Sequence, residues 1–175
     1  DSFLARAADH FEVERFPFDE AGRSQTFKEF LTGLYSASDR HSIGVYESGA
    51  GQFALLKLRD NVAHESWLAQ LEPPLQKLDV VVLTELVLKR LLKVDEGTLS
   101  DETKIKYRHD AVEAVEEVDR GLFQVAFLLN HTKIEQLQEV ANSGLFMPHK
   151  STYFYPKVVD GSVLNLLDPN EDVQL

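Results

Sequence analysis

The chain has 175 residues, of which 43% are hydrophobic and 11 are Phe, and its 18 Lys and Arg against 29 Asp and Glu give a net charge of −11. This length and composition predict one compact domain, residues 1–175, with a hydrophobic core. The acidic excess argues against binding to nucleic acids or anionic membranes, and no apolar run reaches the roughly 20 residues of a membrane span. We therefore expect a cytoplasmic protein.

The predicted elements of the N-terminal third alternate between helix and strand. Apolar residues at helical spacing indicate helices, and alternating apolar and polar residues indicate half-buried strands. The elements, in chain order, are a helix at residues 2–11 with Ser2 as its N-cap, a strand at 13–18, a helix at 25–35, and strands at 42–47 and 52–58 joined by a hairpin turn.

The middle of the chain is predicted to be helical. Asn61 is a candidate cap for a helix that carries Trp67, and the pair Pro73-Pro74 is expected to end it. The most apolar segment, residues 78–93, is long enough to favour a buried helix over a strand. A polar loop is predicted at 95–102.

The C-terminal third predicts a β-α-β-α-β run. Its elements are a strand at 104–107, a helix from an Asp110 cap to Gly121, a strand at 122–129, a helix from a Thr132 capping box to Gly144, and strands at 153–155 and 162–166. The predicted fold class is therefore mixed α/β (α+β), with a central sheet of short strands packed with helices.

Common catalytic and cofactor motifs are not found in the sequence. Gly49 and Gly51 form the only Gly-x-Gly, and because a strand follows them at once they predict a turn rather than a dinucleotide site. The six histidines are scattered, without the i, i+4 spacing that places two ligands on one helix face, and there is no cysteine. The sequence therefore predicts no metal site and no disulfide.

One segment stands out by its charge. Residues 145–159 contain no acid, although the whole chain is strongly acidic. A lysine beside two hydroxyls and aromatic rings is suited to bind a phosphate or a carboxylate. The candidate anion-binding residues are Lys150, Ser151, Thr152, Tyr155 and Lys157. The alternative is an aromatic edge strand whose lysines discourage pairing with other strands and whose Pro156 interrupts the ladder.

The same segment resembles a known family. Its residues Met147-Pro148, Lys150-Ser151-Thr152, Phe154, Pro156-Lys157 and Gly161 resemble the C-terminal signature of a bacterial and archaeal domain of unknown function, family 1015, whose members often carry ParB/RepB-like names. Weaker matches lie upstream, at Leu78-Asp79-Val80, at Ile105, Tyr107 and Asp110, and at Asn130 with Thr132. His149 departs from the pattern, and the family's upstream Gly-His-His-Arg-Tyr motif does not occur in this sequence.

The resemblance implies that the chain is the C-terminal half of a longer protein. The chain begins at Asp1 and its only methionine is Met147, which also indicates a fragment. The resemblance further implies that no cofactor is held by this fragment and that a nucleotide would be bound mainly by the upstream half. By analogy, the whole protein is expected to be kinase-like, acting on a small hydroxylated metabolite such as free serine.

Two hypotheses about function follow. In the first, Lys150, Ser151 and Thr152 close over a small anionic ligand in an active site that the upstream domain completes. In the second, the chain is a non-catalytic packing or oligomerisation module, and the segment docks against the upstream domain or another subunit. The sequence leaves the choice between an enzyme and a non-enzyme open.

Overall fold

The computed structural model describes residues 3–62 and 66–152. The helices are α1 (Phe3–Ala7), α2 (Arg23–Ser36), α3 (Ser66–Ala69), α4 (Pro73–Gln76), α5 (Asp79–Val82), a π-helix (Leu83–Leu91), α6 (Glu96–Leu99), α7 (Ala111–Asp119) and α8 (Ile134–Asn142). The strands are β1 (Phe11–Pro17), β2 (Ser42–Glu47), β3 (Gln52–Leu58) and β4 (Val125–Leu129). The fold is thus mixed α+β, as the sequence predicted.

The strands form an antiparallel sheet in the order β1-β3-β2-β4. β2 and β3 make a hairpin with Tyr46 opposite Phe53, and its turn contains Gly49 and Gly51 at positive φ. The interpretation of this Gly-x-Gly as a turn is therefore confirmed, because left-handed backbone favours glycine. β4 pairs with the other edge of β2, which places Val45 opposite Phe127.

The central strands are buried on both faces. Alternate residues of β2 and β3 belong to two separate clusters of buried side chains, because successive side chains of a strand point to opposite faces. One cluster lies beneath α1, α3 and the π-helix and contains Ile43, Val45 and Leu56. The other lies beneath α2 and α7 and contains Phe30, Tyr46, Phe53, Leu55 and Val118. The sheet is thus covered by helices on both sides.

Aromatic rings dominate the α2 face. Phe53 is fully buried and lies 5.1 Å from Phe30 and 4.9 Å from Phe18, measured between ring centroids. Gly44 makes this packing possible, because a Cβ there would come within 2.5 Å of the Phe30 ring. The predicted apolar face of α2 is therefore confirmed, with Phe30 and Leu34 at its centre.

The helix predicted at residues 78–93 is present at residues 79–91, but it changes its hydrogen-bonding pattern. The four residues of α5 are followed by a π-helix, and Leu92 N–H donates to Val87 O, five residues earlier, at 2.9 Å. Val82 and Val87 are fully buried against the sheet. Within the described residues, no helix combines the length and apolar character that a bilayer crossing requires.

Several local predictions were wrong. Residues 104–107 form a turn and irregular structure rather than a strand. The backbone oxygen of Asp101 accepts hydrogen bonds from the N–H groups of Lys104 and Ile105, which therefore do not bond to another strand. The first strand of the predicted β-α-β-α-β run is therefore missing. The Pro73-Pro74 pair begins α4 instead of ending the preceding helix. The predicted strands at 153–155 and 162–166 lie outside the described residues.

The capping predictions had mixed outcomes. Asp110 caps α7 as predicted, because its Oδ1 accepts bonds from the N–H groups of Val112 and Glu113 at 2.7 and 3.0 Å. Thr132, however, does not cap α8. That helix begins after Lys133, whose N–H donates to Gln136 Oε1 at 2.9 Å. The Thr132 hydroxyl is thereby available for a different contact.

Candidate functional site

A polar cavity of about 360 Å³ lies at one end of the sheet, beside the ends of its strands. It is lined by residues 38–41 before β2, residues 58–60 at the end of β3, and Lys77 and Asp79. The lining residues after β4 are Asn130, His131, Lys133 and Gln136. In an antiparallel sheet the start of one strand meets the ends of its neighbours. The polar side chains that flank β2, β3 and β4 therefore converge at this end of the sheet.

His41 and Asp79 form a hydrogen-bonded pair in this cavity. The imidazole Nδ1 lies 2.9 Å from Asp79 Oδ1, and the two side chains are 20% and 17% exposed. A carboxylate accepts a hydrogen bond, so Nδ1 carries the proton in the neutral ring and Nε2 is left as an acceptor. Within the described residues the imidazole makes no second hydrogen bond. Nε2 is therefore the ring nitrogen that remains for a ligand.

A second hydrogen-bonded chain fixes the wall beside His41. Asn130 Nδ2 donates to Ser42 Oγ at 2.9 Å, and Ser42 Oγ donates to Ala37 O at 3.2 Å. Ser42 is fully buried. These bonds join the end of β4 to the start of β2 and to the loop after α2, so the backbone on either side of His41 is held in place.

Permanent cations outnumber carboxylates by one in the lining of the cavity. Four cationic side chains line it against three carboxylates, in a chain whose net charge is −11. The cations are Arg40, Arg59, Lys77 and Lys133, and the carboxylates are Asp39, Asp60 and Asp79. Opposing the overall charge of the molecule, this local excess makes the cavity a favourable place for an anion.

The ion pairs of the two cavity lysines are exposed to solvent. Lys133 Nζ lies 3.1 Å from Asp39 Oδ1, and that aspartate side chain is 93% exposed. Lys77 Nζ lies 2.5 Å from Glu139 Oε1, and both of these side chains are more than two-fifths exposed. Exposed pairs of this kind contribute about 0–1 kcal/mol, so an entering anion can replace either carboxylate at little cost.

The two arginines are held from behind. Arg40 Nη2 donates to Leu58 O at 2.9 Å, at the end of β3. Arg59 Nε donates to Ala8 O at 3.3 Å, after α1. These backbone contacts fix both guanidinium groups at the edge of the cavity. His131 also lines the cavity, and its ring stacks on Tyr35 with 6.3 Å between centroids.

The segment predicted from sequence lies next to this cavity but does not line it. Lys150 has a left-handed backbone, and its Nζ pairs with Glu102 Oε1 at 2.9 Å. Ser151 Oγ donates to Pro148 O at 2.6 Å, and the Thr152 side chain is exposed. Tyr155 and Lys157 lie outside the described residues. In the described part of the segment, Ser151 thus bonds within its own turn, whereas Lys150 pairs with a residue outside the segment.

One hydrogen bond connects the two regions. Thr132 Oγ1 donates to Ser151 O at 3.1 Å, and Thr132 lies between His131 and Lys133, which both line the cavity. The predicted segment therefore packs against the outer side of the turn that forms one cavity wall. This is the contact for which Thr132 is available because it does not cap α8.

The sequence did not identify the pair at the centre of the cavity. His41 and Asp79 are 38 residues apart, and no motif spacing links them. The signal that was present is the position of polar residues directly beside strand ends, as with His41 before β2 and Asn130 after β4. Only the antiparallel order of the strands turns that signal into a common site.

A contrasting charged cluster lies at the other end of β2. Tyr46 donates its hydroxyl hydrogen to Asp119 Oδ1 at 2.6 Å, and Arg23 Nη2 donates to Asp119 Oδ2 at 2.5 Å. The guanidinium of Arg23 also packs over the rings of Phe18 and Tyr46, at 5.3 and 5.2 Å. Burial, together with the hydrogen bond to Asp119, raises the pKa of Tyr46 above its usual value, and Arg23 partly opposes this.

Fold and cavity together define a mixed α+β domain with a cationic, histidine-containing cavity at the strand ends of an antiparallel sheet. No protein-family model, curated protein or solved structure matches the chain. Among the described residues, no cluster of three or more His, Cys, Asp or Glu side chains is arranged to hold a metal ion. The cavity itself is therefore the feature that bears on function.

Proposed function

We propose that this chain binds a small anionic molecule, bearing a phosphate or carboxylate group, in the cavity at the strand ends of the sheet. The observation that carries the proposal is the excess of cationic over anionic side chains in the lining of a strongly acidic chain. Arg and Lys are the side chains that bind phosphate and carboxylate oxygens most strongly. The volume of about 360 Å³ is within the range of small-ligand sites.

In this proposal the two lysines and Arg59 contribute in different ways. Lys77 and Lys133 exchange their exposed carboxylate partners for the anion. Arg59 contributes a guanidinium whose position is set by its bond to Ala8 O. Gln136 Nε2 donates to Lys77 O at 2.7 Å and so keeps the segment that carries Lys77 against α8. The anion is thus held between the end of β3, the turn after β4 and the residues before α5.

The finer proposal is that the cavity is half of an active site. The resemblance to family 1015 implies an upstream domain that supplies a nucleotide site, in a cytoplasmic, kinase-like protein by analogy. Lys150, Ser151 and Thr152 would then lie at the boundary between the two halves, connected to the cavity through Thr132. This arrangement keeps the predicted anion-binding loop as part of the site while giving the cavity the main role.

The alternative function is a packing or oligomerisation module. It is favoured by Phe146, which is 90% exposed and lies four residues before Lys150. A large exposed aromatic side chain next to a lysine suits a contact with an upstream domain or a second copy. Under this alternative the cationic cavity has no ligand of its own.

The test is a calorimetric titration of the protein with inorganic phosphate, using the double variant Lys77→Ala/Lys133→Ala. We expect its affinity to fall at least tenfold, about 1.4 kcal/mol, because two charge-assisted contacts are removed. The melting temperature should change little, since both ion pairs are exposed. Lys104→Ala is the matched control, because this exposed lysine also pairs with an aspartate but lies outside the cavity.

Two results would contradict the proposal. One is that the wild-type protein does not bind phosphate, and the other is that the double variant and the control bind it equally well. Sedimentation velocity of wild type and Phe146→Ala tests the alternative. A concentration-dependent association that Phe146→Ala abolishes, with no phosphate binding, would establish the packing module instead.

A further inference from the structure

We propose that anion binding in the cavity is coupled to protonation of His41, with Asp79 as the positioning residue that holds the ring. This inference rests on the proposed function, because it concerns the same cavity. It predicts that the site takes up an oxyanion and a proton together, and binds the ion more tightly as the pH falls. Coupling of this kind near neutral pH requires a side chain that can gain or lose a proton there, and among the common side chains histidine is the one that does so.

The geometry of the pair is the first step. Asp79 Oδ1 accepts the Nδ1–H bond at 2.9 Å, so the neutral ring of His41, which lines the cavity, has only the lone pair of Nε2 left for a ligand. A lone pair repels an anion, whereas a protonated Nε2 donates a hydrogen bond to it. The aspartate also stabilises the protonated ring, because it lies directly against the opposite nitrogen. The bound state of the anion therefore favours the imidazolium.

The surrounding charges are the second step. The permanent cations that face the cavity are Arg40 from the loop before β2, Arg59 after β3, Lys77 before α5 and Lys133 after β4. The carboxylates that face it, besides Asp79, are Asp39 and Asp60. The negative charge of an anion bound among these groups favours a positive charge on His41, so the proton is taken up with the ion.

A second histidine in the cavity supplies the control. His131 also lines the cavity, but its ring stacks on Tyr35 and, among the described residues, no hydrogen bond to a carboxylate orients it. If any imidazole near the anion could accept the proton, the two histidines would contribute alike. We assign the proton to His41 because, of these two cavity histidines, only His41 has a carboxylate as a hydrogen-bond partner among the described residues.

The experiment is isothermal titration calorimetry with sodium sulfate, in pairs of buffers that differ in ionisation enthalpy. Sulfate does not titrate near neutral pH, so every proton that the buffer exchanges comes from or goes to the protein. We expect the wild type and His131→Gln to take up a fraction of one proton per sulfate, and His41→Gln to take up none. The wild-type affinity should fall as the pH rises, by at most about tenfold per pH unit, while that of His41→Gln should not change with pH.

Asp79→Asn gives the readout for positioning. Asparagine keeps the size of the side chain but removes the negative charge that stabilises the imidazolium. We expect sulfate to bind with less proton uptake at neutral pH, and the pH profile of affinity to move to lower pH. An unchanged profile would show that Asp79 only ties α5 to the sheet.

The outcomes separate this inference from the function on which it rests. If neither sulfate nor phosphate binds to the wild type, the proposed function fails. If sulfate binds without proton uptake, or if the uptake is lost in His131→Gln and kept in His41→Gln, the inference is overturned and the anion site stands. Should His41→Gln fail to fold, the NMR titration of the wild-type His41 ring decides. Sulfate must then move its midpoint to higher pH, and an unchanged midpoint would contradict the coupling.

Discussion

The two ends of β2 carry charged clusters of opposite character. At one end, the hydrogen bonds of Asp119 join Tyr46 and Arg23, and the guanidinium also covers two aromatic rings. At the other end, Lys77 and Lys133 pair with exposed carboxylates around an open cavity, and His41 uses only one of its two ring nitrogens among the described residues.

The difference separates a structural cluster from a binding site. When both oxygens of a carboxylate and the flanking rings already have partners, a ligand can only compete with bonds that stabilise the fold. When the ion pairs of the cations are exposed to solvent and an imidazole nitrogen at a cavity has no partner, a ligand adds contacts without breaking bonds that stabilise the fold. The first arrangement predicts that mutations change stability, and the second predicts that they change affinity.

The largest effect is expected from breaking the aromatic packing at the structural end. Phe53→Ala should reduce the free energy of unfolding by about 3–5 kcal/mol, because the ring is fully buried among other aromatic rings. Urea denaturation measures this loss, and Phe146→Ala is the control, since its ring is 90% exposed. Phosphate affinity of the folded fraction should not change. Equal losses in both variants would contradict the assigned core.

A smaller effect is expected from Asp119→Asn. The variant should lose about 1–2 kcal/mol, because the charge-assisted bonds from Tyr46 and Arg23 are weakened. Glu116→Gln, on the same helix, removes one partner of an exposed ion pair and should leave the stability nearly unchanged. The comparison fails if the two substitutions are equivalent.

The same variant changes the alkaline limb of stability. The pKa of Tyr46 is raised in the folded state, so its contribution is fully present below the unfolded value of about 10 and is lost as the pH rises through the folded pKa. Asp119→Asn removes one of the causes of this rise. We expect a lower Tyr46 pKa and a weaker loss of stability above about pH 10, measured by ultraviolet titration of tyrosinate and by urea denaturation.

The smallest effect is expected at the segment that the sequence singled out. Lys150→Ala should leave the melting temperature unchanged, because its pair with Glu102 is exposed. Phosphate affinity should fall less than the tenfold loss expected for Lys77→Ala/Lys133→Ala, since Lys150 does not line the cavity. A larger loss in Lys150→Ala than in the double variant would locate the anion on the Lys150–Thr152 loop. Calorimetry on both proteins distinguishes these results.

Local patterns predicted much of the secondary structure for physical reasons that act within a few residues. The alternation in β2 and β3, the apolar face of α2 and the Asp110 cap each depend on near neighbours in the chain. The wrong predictions arose where a local signal had two outcomes. Thr132 has the hydroxyl of an N-cap, but that hydroxyl donates to Ser151 O instead. No sequence spacing between the two residues predicts this contact.

The sequence by itself thus determined the fold class, most helices and strands and the position of a lysine-rich, acid-free segment, because these follow from periodicity, capping chemistry and composition. Only the tertiary structure decided where the cavity lies and which side chains share it. The antiparallel order β1-β3-β2-β4 brings the start of β2 beside the ends of β3 and β4. His41 and Lys133 then meet because the ends of adjacent strands lie together, and Asp79 joins them from the start of α5.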